Sequence, residues 1–204
     1  MPTTFLSLTD LPKAPLETVR QALLDLICDV AYKEGDFTLS SGKKSDYYIN
    51  GKQVTLHAEG GVMVARLLLN MLPEGIAGVG GLTLGADPMV SAISVVGVYE
   101  NKPVTPLIIR KEAKGHGTRA YIEGPTLPEG SAIAIIEDVV TTGASALKAV
   151  ERLRDAGYQV DNVFALVDRQ QGGRELYDKE GLNFEPIFTI EEVKENWRAR
   201  EGTR

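Results

Sequence analysis

Glu137 and Asp138 follow the apolar run AIAII (132–136), and the Thr/Gly turn VVTTGAS (139–145) comes directly after them. Helical spacing then resumes to about residue 156, where Gly157 stops it. This reads as a buried strand that delivers two carboxylates to its C-terminal end, then a tight loop and a helix N-terminus. The first N–H groups of a helix have no intrahelical partner, and the macrodipole is positive there, so such a turn holds phosphate. Carboxylates accept from hydroxyls. The two together suit a ligand with hydroxyls and a phosphate, as in a sugar phosphate. A simple helix cap needs one acid, not two.

Three other segments carry candidate chemistry. RKEAKGHGTRA (110–120) has Arg110, Lys111, Lys114 and His116, glycines and no apolar periodicity, which predicts an exposed loop. A charge run of this kind can equally be a solvated loop without function. FTLSSGKKSDYYIN (37–50) reads as strand, polar turn and strand, and a plain hairpin would look the same. VDRQQGG (167–173) puts Arg169 at a strand end, where a surface ion pair is the simple alternative. Two common phosphate motifs are missing. Gly80 and Gly85 have the P-loop spacing, but Ala86 follows where a Lys is needed, and no G-x-G-x-x-G follows a strand.

The elements that must position these residues alternate. A helix is expected from Leu16 to Lys33, with Val19, Leu23, Leu26, Ile27 and Val30 on its apolar side and Gly35 as its stop. Thr55 is the expected cap of a helix from His57 to Leu72, and His57 is read as structural. Strands are expected at 76–79, 104–109, 132–137, 160–167 and 184–188. Helices are expected after Gly85 up to Tyr99, over 144–156 and at the C-terminus, where Trp197 is a packing anchor. The pattern predicts one α/β domain over 1–204: a doubly wound, mainly parallel sheet with a small hood from about 16–55 and the C-terminal segment. Ligands of such sheets bind outside the carboxyl ends of the strands.

Composition narrows the classes. The chain has 204 residues, 43% hydrophobic and 25% charged, as in ordinary globular domains. A net charge of −6 weighs against general nucleic-acid binding and requires a local basic cluster for any anionic substrate. The N-terminus lacks the basic start and apolar stretch of a secretory signal, and the segment from Pro88 to Tyr99 is too short to span a bilayer. Cys28 cannot form an internal disulfide, falls on an apolar helix side, and fits a cytoplasmic protein.

Residues 133–145 resemble the ribose-phosphate loop of the type I phosphoribosyltransferases, which bind phosphoribosyl pyrophosphate (PRPP). The resemblance implies that Glu137 and Asp138 hold the ribose 2′- and 3′-hydroxyls. It further implies that Val139, Val140, Thr141, Thr142, Gly143, Ala144 and Ser145 line the PRPP site, with 141–145 around the 5′-phosphate. Arg110, Lys111, Lys114 and His116 fit the mobile loop of the family members that use orotate, in the pattern R-K-x-x-K-x-H-G. They are expected to bind PRPP. Pre-placed cations stabilise charge on the departing pyrophosphate, at roughly 10²–10³ in rate for each lost contact. Lys114, His116 and Asp138 form the implied catalytic set.

Orotate is expected to meet Thr141, Arg169, Tyr47, Tyr48 and Lys44, with Arg169 paired to its carboxylate and the tyrosines near its ring. Some relatives place Lys at the positions of Ser40 and Gly85. Lys43, Lys44 or the backbone N–H groups of Gly85 and Ala86 are the candidates to replace them. The expected activity is phosphoribosyl transfer from PRPP to orotate, a step of pyrimidine biosynthesis, in a homodimer with shared sites. Mg²⁺ would be bound through PRPP without direct protein ligands, and neither nucleic acid nor membrane is expected as a partner. Transfer to another base, and a non-catalytic PRPP-sensing regulator on the same fold, are the alternatives.

Overall fold

The computed structural model describes residues 10–38, 42, 44–114 and 121–202. Its centre is a six-stranded sheet in the order β5-β4-β3-β6-β7-β8. These strands are β3 (Gly78–Leu82), β4 (Thr105–Ile109), β5 (Ile122–Glu123), β6 (Ala132–Val140), β7 (Gln159–Asp168) and β8 (Asn183–Thr189). All pairings are parallel except β4 with the short edge strand β5. The chain runs from β3 outward to β5, returns to β6 beside β3, and then runs out to β8. The crevice between the carboxyl ends of β3 and β6 is therefore the topological switch point, where an open α/β sheet receives its ligand.

β6 is apolar on both faces because both faces are covered. Successive side chains of a strand point to opposite faces. Ala134 and Ile136 join a core shared with α1 (Leu16–Leu26), α3 (Ala58–Met71), α4 (Asp87–Tyr99) and α7 (Ile190–Glu201). Ile133 and Ile135 join a second core with α5 (Ala144–Asp155) and Tyr177 of α6 (Gly173–Lys179). The strand continues past the acids to Val140, so Glu137 and Asp138 lie inside it and obey the same alternation. The approach of β3 to β6 is close: a Cβ on Gly81 would stand 2.3 Å from the Ile136 carbonyl oxygen.

β1 (Tyr32–Thr38) and β2 (Lys44–Ile49) form a separate antiparallel pair, matching the strand–turn–strand reading of 37–50. Three local expectations are corrected. The first helix does not reach Lys33; α1 ends at Leu26, a single π-helical turn covers Ile27–Ala31, and β1 starts at Tyr32. Gly35 is therefore a strand residue, not a helix stop. Thr55 closes the short helix α2 (Lys52–Thr55), and His57 is the N-cap of α3, accepting from Gly60 N at 3.5 Å. The last helix carries a capping box, with Thr189 and Glu192 each bonding the other's backbone N–H. Trp197 packs edge-on to Tyr32 at 5.9 Å.

Candidate active site

The pleat of β6 sends the two acids to different faces. Glu137 points to the α5–α6 side and is 7% exposed. There it lines a cavity of about 90 Å³ with the turn 139–146 and Tyr177. The turn has its shape because Gly143 adopts φ +83°, and a Cβ there would meet the Tyr177 ring at 2.9 Å. Gly143 is also the N-cap of α5 and offers no side-chain acceptor. The first N–H groups of that helix therefore face the cavity without a capping side chain, as an anion site requires. Among the described residues Glu137 Oε1 has no hydrogen-bond partner. Burial, and secondly the Asp138 charge, push its carboxyl up from 4.5 to about 8.

Asp138 points to the other face, against the glycines Gly51 and Gly85. A Cβ on Gly85 would lie 2.5 Å from Asp138 Oδ1, and one on Gly51 would lie 3.0 Å from Asp138 Cβ. Lys52 Nζ is 3.7 Å from Asp138 Oδ2, and Val139 N donates to Oδ1 at 3.0 Å. Beside them is the β3–α4 loop, where the Thr83–Leu84 peptide is cis and Thr83 Oγ1 donates to Asp87 Oδ2 at 2.6 Å.

A second group of side chains gathers at the end of β7. Arg169 Nε donates to the Tyr47 hydroxyl at 2.9 Å, and its guanidinium lies 4.9 Å from the Tyr47 ring centre. Arg169 Nη2 is buried without a partner among the described residues. Tyr47 is 4% exposed, stacks on Tyr32 at 5.9 Å, and borders a cavity of about 520 Å³ with Asp36, Lys44, Ser45, Asp46 and Gln171. A further hollow of about 370 Å³ lies beyond the amino ends of β3 and β4, among Leu69, Glu74 and Lys102, away from all these groups.

No family model matches the chain. It is 62% identical over 185 residues to the orotate phosphoribosyltransferase of Nostoc sp., covering 91% of this chain and 90% of that one. It is also 62% identical over 197 residues to the Synechocystis sp. orotate phosphoribosyltransferase, covering 97% of this chain and 100% of that one. The crystal structure of Mycobacterium tuberculosis orotate phosphoribosyltransferase in complex with PRPP has a TM-score of 0.73 and 31% identity, covering 86% of this chain and 99% of that one. The chain belongs to the orotate phosphoribosyltransferase family.

In this orotate phosphoribosyltransferase fold, Glu137, Val139, Val140, Thr141, Thr142, Gly143, Ala144 and Ser145 surround one cavity, and Asp138 stands across the strand from it. Tyr47 and Arg169 are in contact, and Lys44 borders the cavity beside Tyr47 while hydrogen-bonded to Thr38 Oγ1 at 3.1 Å. Tyr48 points to the opposite face of β2 from Tyr47, is 44% exposed, and packs on Phe37 at 5.6 Å. One of the two rings at most can face a common ligand.

Arg110 and Lys114 share Glu123, at 3.2 and 3.7 Å, and Lys111 is exposed. The root of that loop is pinned by Arg152, which donates to the Arg110 and Lys111 carbonyls. His116 lies outside the described residues, as do Ser40 and Lys43. Two residues escaped the sequence reading. Lys52 sits between motifs, where its charge looked like any solvated lysine. Tyr177 lies in the short charged stretch GRELYDK and gave no signal at all.

Proposed function

We propose that the protein transfers the 5-phosphoribosyl group from PRPP to orotate, giving orotidine 5′-monophosphate and pyrophosphate. Membership of the orotate phosphoribosyltransferase family, at high identity over nearly the whole chain, carries this reading. The 5′-phosphate would rest on the turn 141–145 at the uncapped start of α5. Glu137 and Asp138, from the two faces of β6, would reach the ribose hydroxyls. Arg169, aligned by Tyr47 and with one buried guanidinium nitrogen unpartnered among the described residues, suits the orotate carboxylate, for which a planar fork is complementary. The orotate ring nitrogen bonds to C1 of the ribose as the bond from C1 to the pyrophosphate oxygen breaks. The protein supplies position and charge, not a covalent nucleophile.

Arg110, Lys111, Lys114 and His116 would meet the pyrophosphate once their loop leaves Glu123 and closes. Closure also keeps water from the activated sugar. Magnesium fits as a hard cation carried by pyrophosphate and ribose oxygens, where it would offset leaving-group charge. Among the described residues no group of three or more His, Cys, Asp or Glu side chains is placed to hold a metal. We infer a homodimer that shares its sites. The dimer, though not the sharing, is supported by an exposed apolar face on α4, where Val95, Val98 and Tyr99 are 60%, 65% and 83% exposed at helix-neighbour spacing. A hood from 16–55 with the C-terminal segment would cover the base side. Cys28, buried and with its thiol pushed up by burial, fits a reducing cytoplasm. No helix among the described residues is long and apolar enough to cross a membrane.

The test is loss of orotate absorbance with PRPP, with and without Mg²⁺, beside a panel of purine and pyrimidine bases. Turnover of another base in place of orotate overturns the reading. Mixing Lys114→Ala and Asp138→Ala chains tests the dimer: activity returns in heterodimers if sites are shared. Confirmed heterodimers without recovery refute sharing.

A further inference from the structure

Glu137 and Tyr177, on different elements, line the cavity under the turn 141–146, and Glu137 Oε1 and the Tyr177 hydroxyl are buried without a hydrogen-bond partner among the described residues. Tyr177 is wholly buried. Its ring is fixed edge-on to Phe184 at 4.9 Å, and a Cβ on Gly143 would stand 3.1 Å from its hydroxyl. The hydroxyl is thus held at the wall of the turn that would carry the phosphate. A buried phenol without a partner is costly, and a phenylalanine would keep the ring packing without that cost.

The two groups share a cavity yet do not bond each other. Their needs differ, since a phenol donates and a carboxyl carbonyl oxygen accepts whether or not the acid is ionised. A ribose phosphate answers both, with phosphoryl oxygens for one and hydroxyls for the other. We propose that Tyr177 is a phosphate-binding residue, its hydroxyl donating to the 5′-phosphate of PRPP from beside Gly143. The identity of the phosphate rests on the function proposed above. Burial first, then the Glu137 and Asp168 charges, keep the phenol protonated as a donor. Glu137, its carboxyl pushed up to about 8, is mostly protonated at neutral pH and so repels the incoming anion little.

The experiment uses the full chain and Tyr177→Phe. Thermal unfolding is followed alone, with inorganic phosphate and with ribose 5-phosphate, and KM is measured for PRPP and for orotate. The free variant should unfold at the wild-type temperature or above, because it loses a hydroxyl that had no partner. Its phosphate and ribose 5-phosphate affinities should fall about tenfold or more, the range for a hydrogen bond to a charged group. KM for PRPP should rise in parallel, and KM for orotate should not.

Unchanged phosphate affinity in Tyr177→Phe overturns the proposal, since the hydroxyl then serves packing or a water. Phe184→Leu disturbs the same packing but leaves the hydroxyl, and should lower the unfolding temperature while keeping phosphate affinity. An equal loss of affinity in both variants also overturns it. If the wild type binds phosphate but does not turn over orotate, the proposed reaction fails while the phosphate affinities still decide the role of Tyr177.

Discussion

Glu137→Gln should make the free protein more stable at high pH while impairing its use of PRPP. In the unfolded chain this carboxyl ionises near 4.5, and in the folded protein near 8. Between those values the folded state holds one proton more than the unfolded state. Stability therefore falls as pH rises through that window and levels off above it. At ~1.36 kcal/mol per pH unit, the whole window amounts to ~5 kcal/mol. Gln has nearly the same shape and no proton to lose, so it escapes the loss. The assay is denaturant unfolding of both proteins between about pH 5 and about pH 9, reading the difference at each pH so that other titrating groups cancel. The difference should move in favour of Gln by ~4 kcal/mol across that range, while phosphoribosyl transfer drops. Parallel stability profiles would refute the reasoning, because they would mean that water reaches this carboxyl.

Two further outcomes follow from the geometry around Asp138 and Arg169. Lys52→Ala should raise KM for PRPP several-fold with the unfolding midpoint nearly unchanged, since a half-exposed ion pair contributes ~1 kcal/mol or less, and Lys52→Arg should restore it; an unaltered KM would make Lys52 a bystander. Arg169→Lys should raise KM for orotate about tenfold through loss of the fork, with KM for PRPP near wild type; a shift in PRPP instead would move Arg169 away from the base.

The alternation of strands and helices was legible because β6 and β7 are buried on both faces over 133–136 and 163–167, which read as unbroken apolar runs. Helix ends were less so. Gly35 looked like a stop because a glycine after apolar periodicity usually is one, but the π-helical turn at Ile27–Ala31 ends the helix earlier. Thr55 is the better cap by type, yet His57 takes the place, since the chain has just left α2 there. The acids, the turn and Arg169 were visible as motifs. That Glu137 and Asp138 serve different faces depended on β6 extending to Val140, which a strand stopping at the acids conceals. Tyr177 was invisible because its meaning lies in contact with Gly143, on a distant loop.

The packing of Asp138 between Gly51 and Gly85 has a consequence for how this site can change. A lysine at 85, as some relatives carry, could not be introduced by itself, because its first side-chain carbon would occupy the space of the Asp138 carboxylate. Positions 51, 85 and 138 thus form one epistatic unit: a change at any of them is judged by what stands at the other two. A side chain at 85 is therefore accepted only together with a change at 138 that frees its space.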